Sequence, residues 1–227
     1  MYLGIDLGTS ELELLLLPGR WHQMSVMLSA ASCLGWAAAL TGAADVPALL
    51  ARAATLTAAQ RDRAPLFMPY LSGERTPHND SAAQGLLFGL THDHAAAHVA
   101  WAVLEGVGFR LSDGWHSMAL ADAAASDVPV QALSLVGGGA RSDLWAQLLA
   151  STLGVPLEVR AGNEAGGAVG AARLGWLAAG GALAEVCRAP GTVARRFDPD
   201  PVGRDRLQAR YQRFRALYPA LRGQFPG

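Results

Sequence analysis

The chain has 227 residues, of which 51% are hydrophobic and 16% are charged, as expected for a globular protein with a sizeable core. Its net charge is −1, so no overall positive field favours nucleic acid or an anionic membrane as a partner. All 18 basic residues are arginine, which excludes a P-loop because that motif needs a lysine at the phosphates. Residues 14–17 are too short an apolar run for a signal peptide or a membrane span, which predicts a cytoplasmic protein. Cys33 and Cys187 form no CxxC pair and are predicted to be buried free thiols.

The first third of the chain predicts a hairpin followed by a buried helix. Residues 2–6 are an apolar run that ends at a glycine turn, and residues 12–16 alternate as a second strand would. Residues 25–40 are apolar on all sides and predict a buried helix that ends at Thr41 and Gly42. Residues 52–63 are interpreted as a polar connector.

The middle of the chain predicts two strands, at residues 65–71 and 86–90, on either side of a turn-rich loop. A long helix follows at residues 94–118. Gly106 and Gly108 lie inside this helix, where each costs roughly 1 kcal/mol relative to alanine. We therefore expect another backbone to pass close to them.

The last part of the chain alternates strands and helices, which predicts an α/β layer structure. A strand at 132–136 leads through a glycine loop to a helix that Gly154 ends, and a strand at 156–160 leads to a helix at 168–179. The small residues of this second helix (Gly166, Gly167, Ala168, Gly170, Ala171 and Ala172) predict close packing against the sheet. An amphipathic helix at residues 205–221 is expected to pack on the outside.

The loop "VGGGARS" is the strongest indication of a ligand. Gly137, Gly138 and Gly139 expose bare backbone after a strand, and Ala140 and Ser142 lead into a helix N-terminus. Such a turn admits a phosphate, ribose or adenine because no Cβ obstructs it, and the helix end offers free N–H groups. A tight turn without a ligand is the alternative, and a dinucleotide site fits the spacing less well.

The N-terminal "GIDLGTS" repeats this pattern with a carboxylate. Asp6 ends a strand, Gly8 makes the turn, and Thr9 and Ser10 offer hydroxyls and amides to a phosphate. An aspartate at this position can hold Mg²⁺ directly or through water. A hairpin turn with an aspartate cap is the alternative interpretation.

The two loops together resemble those of the ATPase fold shared by actin, Hsp70-type chaperones and sugar kinases. "GLLFGLTHDHAAAHVAWAVLEG" at 85–106 resembles the C-terminal signature of the FGGY carbohydrate kinases, and residues 20–42, 69–80 and 137–157 closely resemble xylulokinases. The resemblance implies an α/β fold of the actin-like ATPase (ribonuclease H-like) class. Residues 1–17 would be a β-hairpin left from the N-terminal domain, and residues 18–227 would form the C-terminal nucleotide-binding domain.

The resemblance also implies the chemistry: transfer of a phosphoryl group from ATP, with Mg²⁺, to D-xylulose to give xylulose 5-phosphate. Asp6 would be the catalytic carboxylate linked to Mg²⁺, Gly8, Thr9 and Ser10 the phosphate turn, and the loop 137–142 the adenosine site. The sugar follows from the resemblance alone, and glycerol, ribulose and gluconate remain open as substrates.

In the family, most of the first domain lies between the segments that match residues 1–10 and 18 onwards. That part includes the sugar pocket, the aspartate base and a second phosphate loop, whereas only residues 11–17 intervene here. We expect this chain alone to be inactive. A non-catalytic nucleotide-binding or interaction module, working with another chain, is the second hypothesis, and a homodimer is possible.

Several other residues have competing interpretations. Glu74 and Arg75 are predicted to hold their loop through an ion pair rather than to contact substrate. The spacing of His94 and His98 suits a metal helix, but a solvated or capping role is favoured because H-E-x-x-H is absent. Asn163 and Glu164 could contact adenosine or cap a helix. Trp21 and Trp36 are assigned to a core or an interface.

Overall fold

The computed structural model describes residues 4–6, 24–122, 130–161, 167–186 and 191–226. Within these ranges the strands, in chain order, are β1 (Gly4–Asp6), β2 (Leu66–Met68), β3 (Leu86–Phe88), β4 (Leu133–Val136), β5 (Leu157–Arg160) and β6 (Val193–Phe197). The α-helices are α1 (Ser32–Leu40), α2 (Val46–Ala54), α3 (Ala58–Arg63), α4 (Ala96–Asp122), α5 (Asp143–Leu153), α6 (Gly167–Ala178), α7 (Leu183–Val186) and α8 (Pro201–Leu221). None of the described helices combines the length and the apolar character needed to cross a membrane.

The main sheet has the strand order β1-β4-β5-β6. The first three strands are parallel, and β6 returns antiparallel to β5 along the outer edge. β2 and β3 form a separate antiparallel pair. The predicted alternation of strands and helices is confirmed for β4, α5, β5 and α6, whereas the predicted second strand at residues 12–16 lies outside the described residues.

Helix α4 lies at the centre of the core. It packs against α1, α2, α5 and β2, and its residues 100–114 are buried throughout. A Cβ at Gly106 would overlap the carbonyl oxygen of Phe67 in β2, which confirms that a second backbone passes this glycine. At Gly108 the prediction is wrong in detail, because a Cβ there would meet only the side chains of Leu149 and Thr152, at 3.4 and 3.5 Å.

Two buried arginines connect α4 to other parts of the fold. Arg110 donates to Glu74 over 2.9 Å and to Asp113 over 2.7 Å, and all three side chains are at least nine-tenths buried. Arg210 of α8 donates through Nε and Nη2 to the Glu105 carboxylate, the shortest contact being 2.5 Å. Burial raises the pKa of Glu105 above its usual value, and the Arg210 guanidinium opposes that shift.

The predicted structural role of Glu74 is confirmed, although its ion pair connects the loop to helix α4 rather than to a neighbouring strand. Its carboxylate pairs with Arg110 of α4 and accepts a hydrogen bond from the backbone N–H of Arg75, while the Arg75 side chain is not its ion-pair partner. Cys33 is buried and free, as predicted, and burial raises its pKa to about 12. Trp36 stacks on Phe67 with ring centroids 5.4 Å apart, which confirms its place in the core. Trp21 and Cys187 lie outside the described residues.

Two predicted boundaries are wrong in the first third of the chain. Helix α1 begins at Ser32 rather than at residue 25, because the backbone of Val26 exchanges hydrogen bonds with Thr76 of the turn-rich loop. Residues 52–63 are not a connector, since they contain the end of α2 and all of α3. A capping box at Thr57 and Gln60 starts α3, and this signal was present in the sequence.

The C-terminal elements also differ from the prediction. Strand β6 and helix α7 were not predicted, and α8 begins at Pro201 because the carboxylate of Asp200 caps it. The expected packing of α6 against the sheet is wrong: Ala168, Ala171 and Ala172 are exposed, and among the described elements α7 is the one that packs substantially against α6. Gly166 lies outside the described residues.

The contact at Gly106 gives a test of the fold. We expect Gly106→Ala to lower the free energy of unfolding by about 2 kcal/mol or more, because the added methyl group must displace either α4 or β2. Urea denaturation measures the change. Gly35→Ala is the matched control, since a Cβ at this exposed position in helix α1 meets no other atom within 4 Å and should stabilise by about 0.5–1 kcal/mol. Equal effects of the two substitutions would contradict the close α4–β2 contact.

Candidate functional site

The candidate site lies at the carboxyl edge of the main sheet. β1 and β4 are parallel, and Asp6 is aligned with Val136 in the register of the two strands. Because parallel strands end at the same edge, the chain leaves β1 after Asp6 beside the point where β4 enters the glycine loop. The structure thus brings together the ends of the two predicted motifs, while Gly8, Thr9 and Ser10 lie outside the described residues.

The glycine loop forms a short 3-10 helix, Gly138–Arg141, immediately after β4. Gly137 has φ 81° and ψ −175°, a conformation that only glycine adopts without strain. Gly138 is exposed, and no atom lies within 4 Å of where its Cβ would be. Gly139 and Ala140 are buried. A ligand therefore has access to bare backbone at Gly137 and Gly138, while Gly139 and Ala140 hold the shape of the loop.

Ser142 links the loop to helix α5. Its hydroxyl accepts a hydrogen bond from the backbone N–H of Trp145 over 3.2 Å, which makes it the N-cap of the helix. The Trp145 indole is fully buried and donates to the carbonyl oxygen of Leu104 in α4 over 3.1 Å. The start of α5 is therefore fixed to the core at the residue that Ser142 caps, and Gly154 ends this helix as predicted.

Arg195 is a contributor that the sequence analysis missed. From β6 it donates to the carbonyl oxygen of Ala140 over 2.7 Å and forms an ion pair with Asp143, the first residue of α5. This pair offsets a carboxylate that would otherwise repel an anion at the helix N-terminus. The sequence analysis missed Arg195 because it did not predict β6, the strand that carries this residue. No local sequence motif marks that strand.

Arg141 adds a positive charge at the mouth of the loop. It ends the 3-10 helix, its side chain is exposed, and within the described part of the chain no ion pair to it is found. An exposed guanidinium in this loop suits an anionic ligand such as a phosphate.

Within the described ranges no group of three or more His, Cys, Asp and Glu residues could hold a metal ion. Mg²⁺ is commonly bound through one or two carboxylates together with substrate phosphates and water, and the role of Asp6 as its ligand stays a prediction.

The histidines at the start of α4 have capping roles, as favoured by the sequence analysis. Nδ1 of His94 accepts from the backbone N–H of Thr91, and Nδ1 of His98 accepts from that of Ala95. Asn163 and Glu164 lie outside the described residues, so neither of their two interpretations is tested.

Comparison with known proteins agrees with this geometry. Residues 9–179 match the C-terminal domain of the FGGY family of carbohydrate kinases. The chain is 47% identical over 207 residues to the xylulose kinase of Escherichia coli K12, covering 90% of this chain and 41% of that protein. It is 55% identical over 161 residues to the xylulose kinase of Klebsiella pneumoniae, covering 70% of this chain and 32% of that protein.

Solved structures give the same result. A xyloylose kinase from Brucella ovis superposes with a TM-score of 0.79 at 39% identity, over 92% of this chain and 41% of that one. A ligand-bound xylulose kinase from Lactobacillus acidophilus superposes with a TM-score of 0.72 at 27% identity, over 88% of this chain and 39% of that one. The predicted fold class is confirmed, and the chain spans about two fifths of the length of these structures.

The backbone of Gly137 gives a test of the loop. We expect Gly137→Ala to lower the free energy of unfolding by about 1–3 kcal/mol, because an alanine at φ 81° is strained. Chemical denaturation measures this loss. Gly138→Ala is the matched control at the next position, where the added methyl group has open space and stability should change by less than about 0.5 kcal/mol. A larger loss at Gly138 would contradict the loop conformation.

Proposed function

The chain belongs to the FGGY family of carbohydrate kinases, and from this premise we propose that it carries the nucleotide-binding half of a xylulose kinase site. The observation that carries the proposal is the glycine loop, with exposed backbone at Gly138, which leaves β4 beside the end of β1. The relatives named above are xylulose kinases, which favours D-xylulose as the ancestral acceptor and ATP as the donor.

The proposed roles follow the sheet edge. The backbone of Gly137 and Gly138 would receive the adenosine, with Gly139 and Ala140 supporting the loop and Ser142 holding the helix N-terminus behind it. Arg141 would meet the polyphosphate. Asp6 would hold Mg²⁺, which offsets negative charge on the phosphates when bound. Gly8, Thr9 and Ser10 would supply the phosphate turn.

The acceptor side of the reaction is proposed to be incomplete. Phosphoryl transfer depends mainly on holding donor and acceptor in line, and orientation of this kind contributes about 7–11 kcal/mol to a rate. We assign residues 1–17 to a remnant of the N-terminal domain and residues 18–227 to the C-terminal domain. Residues 11–17 are too few to build the sugar pocket and to supply its aspartate base. Nucleotide binding without efficient transfer is therefore the proposed property of this chain alone.

A second candidate is a non-catalytic nucleotide-binding module. It is favoured by the match to a C-terminal domain alone and by coverage of only 41% of the E. coli relative. A complete kinase site binds nucleotide and sugar with mutual enhancement, whereas neither this chain alone nor a non-catalytic module is expected to show such coupling.

If the glycine loop forms the nucleotide site, a substitution in this loop should weaken nucleotide binding. We expect MgADP to bind the chain in isothermal titration calorimetry, and Gly138→Glu to weaken that binding at least tenfold by filling the space proposed for the adenosine with a charged side chain. Gly35→Glu is the matched control, since it adds the same charge at another exposed glycine with open space, on α1. Both variants should keep the melting temperature of the parent. Unchanged affinity in Gly138→Glu would remove the loop from the site.

The proposed lack of a sugar pocket predicts a low rate of phosphoryl transfer by this chain alone. We expect turnover with ATP, Mg²⁺ and D-xylulose at least about 10⁵-fold below that of the E. coli relative, because the hydroxyl is not oriented. A coupled ADP-release assay measures it, and glycerol, ribulose and gluconate serve as alternative acceptors. Adding xylulose should leave the calorimetric affinity for MgADP unchanged. Turnover near the rate of the relative, or mutual enhancement of binding, would contradict the incomplete site.

A further inference from the structure

A cavity lies between helices α3, α4, α5 and α8, apart from the glycine loop. Its volume is about 220 Å³, below the roughly 300–1,000 Å³ of pockets that hold drug-sized ligands, so it suits a smaller molecule. On α5 its lining begins at Leu144 and continues to Ser151, and none of the described residues 137–142 contributes to it. The cavity therefore does not belong to the candidate nucleotide site. We call it the α3–α8 cavity.

One wall of the α3–α8 cavity is apolar. Trp101 of α4 is 5% exposed, and Leu148 of α5 and Leu207 of α8 are also buried. The guanidinium of Arg61, on α3, lies over the Trp101 ring, with its Cζ atom 4.3 Å from the ring centroid. A cation–π contact of this kind holds a guanidinium in place without neutralising its charge. The cavity thus joins an apolar surface to a positioned positive charge.

The three carboxylates that line the cavity already have partners. Asp62 pairs with Arg206 over 3.4 Å. Both oxygens of Glu105 accept hydrogen bonds from Arg210. Asp200 caps helix α8, because its carboxylate accepts from the first backbone N–H groups of that helix. None of these carboxylates is therefore left to compensate a further cation.

Arg61 is a cation of the cavity to which no carboxylate of the described ranges is paired. Burial lowers the pKa of Arg61 below its usual value, and no nearby carboxylate opposes this shift. Its Nε atom is buried and has no acceptor among the described residues. Its Nη2 atom donates to the carbonyl oxygen of Ala54 over a long distance, 3.5 Å. The guanidinium is thus partly desolvated without the compensation that such a charge requires.

Trp101 adds a second donor without an acceptor. Its indole Nε1 is buried and forms no hydrogen bond within the part of the chain that the structure describes. The indole opposes the rise in the pKa of Glu105, but it does not reach that carboxylate in hydrogen-bonding geometry. Buried polar groups are normally hydrogen-bonded, so two such donors in one wall indicate that an acceptor is missing. The cavity is therefore short of acceptor oxygens and of negative charge.

We propose that the α3–α8 cavity binds a small organic oxyanion, meaning a phosphate or carboxylate group on a compact apolar body. Arg61 receives the oxyanion, because the planar donors of a guanidinium match the oxygens of either group. The apolar body lies against Trp101 and the two leucines. Arg206 adds charge, since it and Asp62 are 42% and 43% exposed and an exposed pair is held weakly. This site goes beyond the proposed function and does not depend on it.

Isothermal titration calorimetry with phenyl phosphate, benzoate and benzyl alcohol tests the proposal. The three probes share a ring and differ in the group attached to it. We expect at least one of the two anions to bind about tenfold or more tightly than benzyl alcohol, and the tighter anion indicates whether phosphate or carboxylate is preferred. Saturating MgADP should change this affinity by less than about twofold, because the cavity lies outside the glycine loop.

Arginine substitutions locate the binding. Arg61→Gln should weaken binding of the tighter anion about tenfold or more, because it removes the charge from the cavity. Arg206→Gln, at an exposed position of α8, should weaken it by about threefold and keeps the test available if Arg61→Gln fails to fold. Arg213→Gln is the matched control, an exposed arginine of α8 outside the cavity lining, and should change the affinity by less than about twofold. Melting temperatures check that each variant is folded.

Four results would overturn the proposal. They are no binding of either anion, equal binding of benzyl alcohol, displacement of the anion by MgADP, and equal effects of the cavity variants and Arg213→Gln. Failure of MgADP itself to bind would refute the proposed function, whereas the arginine variants would still decide whether the α3–α8 cavity holds the anion.

Discussion

The contact between α4 and β2 is the constraint on which the rest of the structure depends. Gly106 lets the two backbones approach to a distance that any Cβ would prevent. Two residues before it, the carbonyl oxygen of Leu104 accepts a hydrogen bond from the indole N–H of Trp145, and the backbone N–H of Trp145 donates to the Ser142 hydroxyl. A continuous series of contacts thus connects the core helix to the glycine loop. The loop is exposed to solvent at Gly138, yet its geometry is set by buried groups.

The same helix carries charges that are expensive to bury. Glu105 and Arg110 face away from water on either side of Gly106, and each is paired with a side chain from a distant part of the sequence. Removing one member of such a pair costs about 3–5 kcal/mol because the other is left buried and uncompensated. These pairs therefore penalise any arrangement in which α8 or the loop around Glu74 is displaced from α4. The two ion pairs therefore favour one arrangement of α4, α8 and the Glu74 loop over alternative arrangements, in addition to stabilising it.

The sequence predicted the elements whose signals are local. β4, α5 and the glycine loop were predicted because apolar strand, glycines, cap and amphipathic helix follow one another within 20 residues. The start of α1 was not predicted, because Val26 forms hydrogen bonds with the backbone N–H and the hydroxyl of Thr76, 50 residues away, in place of a helical turn that the composition favours. The same reason applies to β6: "VARRF" has neither strict alternation nor a continuous apolar run, and it becomes a strand only by pairing with β5.

The candidate site divides along similar lines. Its glycines and Ser142 belong to one contiguous motif and were identified, whereas Arg195 reaches the loop from a strand more than 50 residues away. For α6 the error is of another kind: a contact with the sheet was predicted that the structure does not contain. Small residues indicate close packing but do not identify the surface they pack against, and the main sheet does not occupy that face.

Nucleotide binding and acceptor orientation are separable parts of phosphoryl transfer, and under the proposed function they belong to different surfaces. The loop, the α5 N-terminus and Arg195 are held by contacts within the described residues, so a nucleotide site here needs no partner to keep its shape. Positioning an acceptor needs a second group of residues that faces the carboxyl edge of the main sheet. Such a group is stable only if it buries apolar area against the elements next to it. The one half-exposed tryptophan of the described chain lies on the helix that leaves the same edge. Among the described elements, the helix with this exposed tryptophan therefore starts at the edge where the glycine loop emerges.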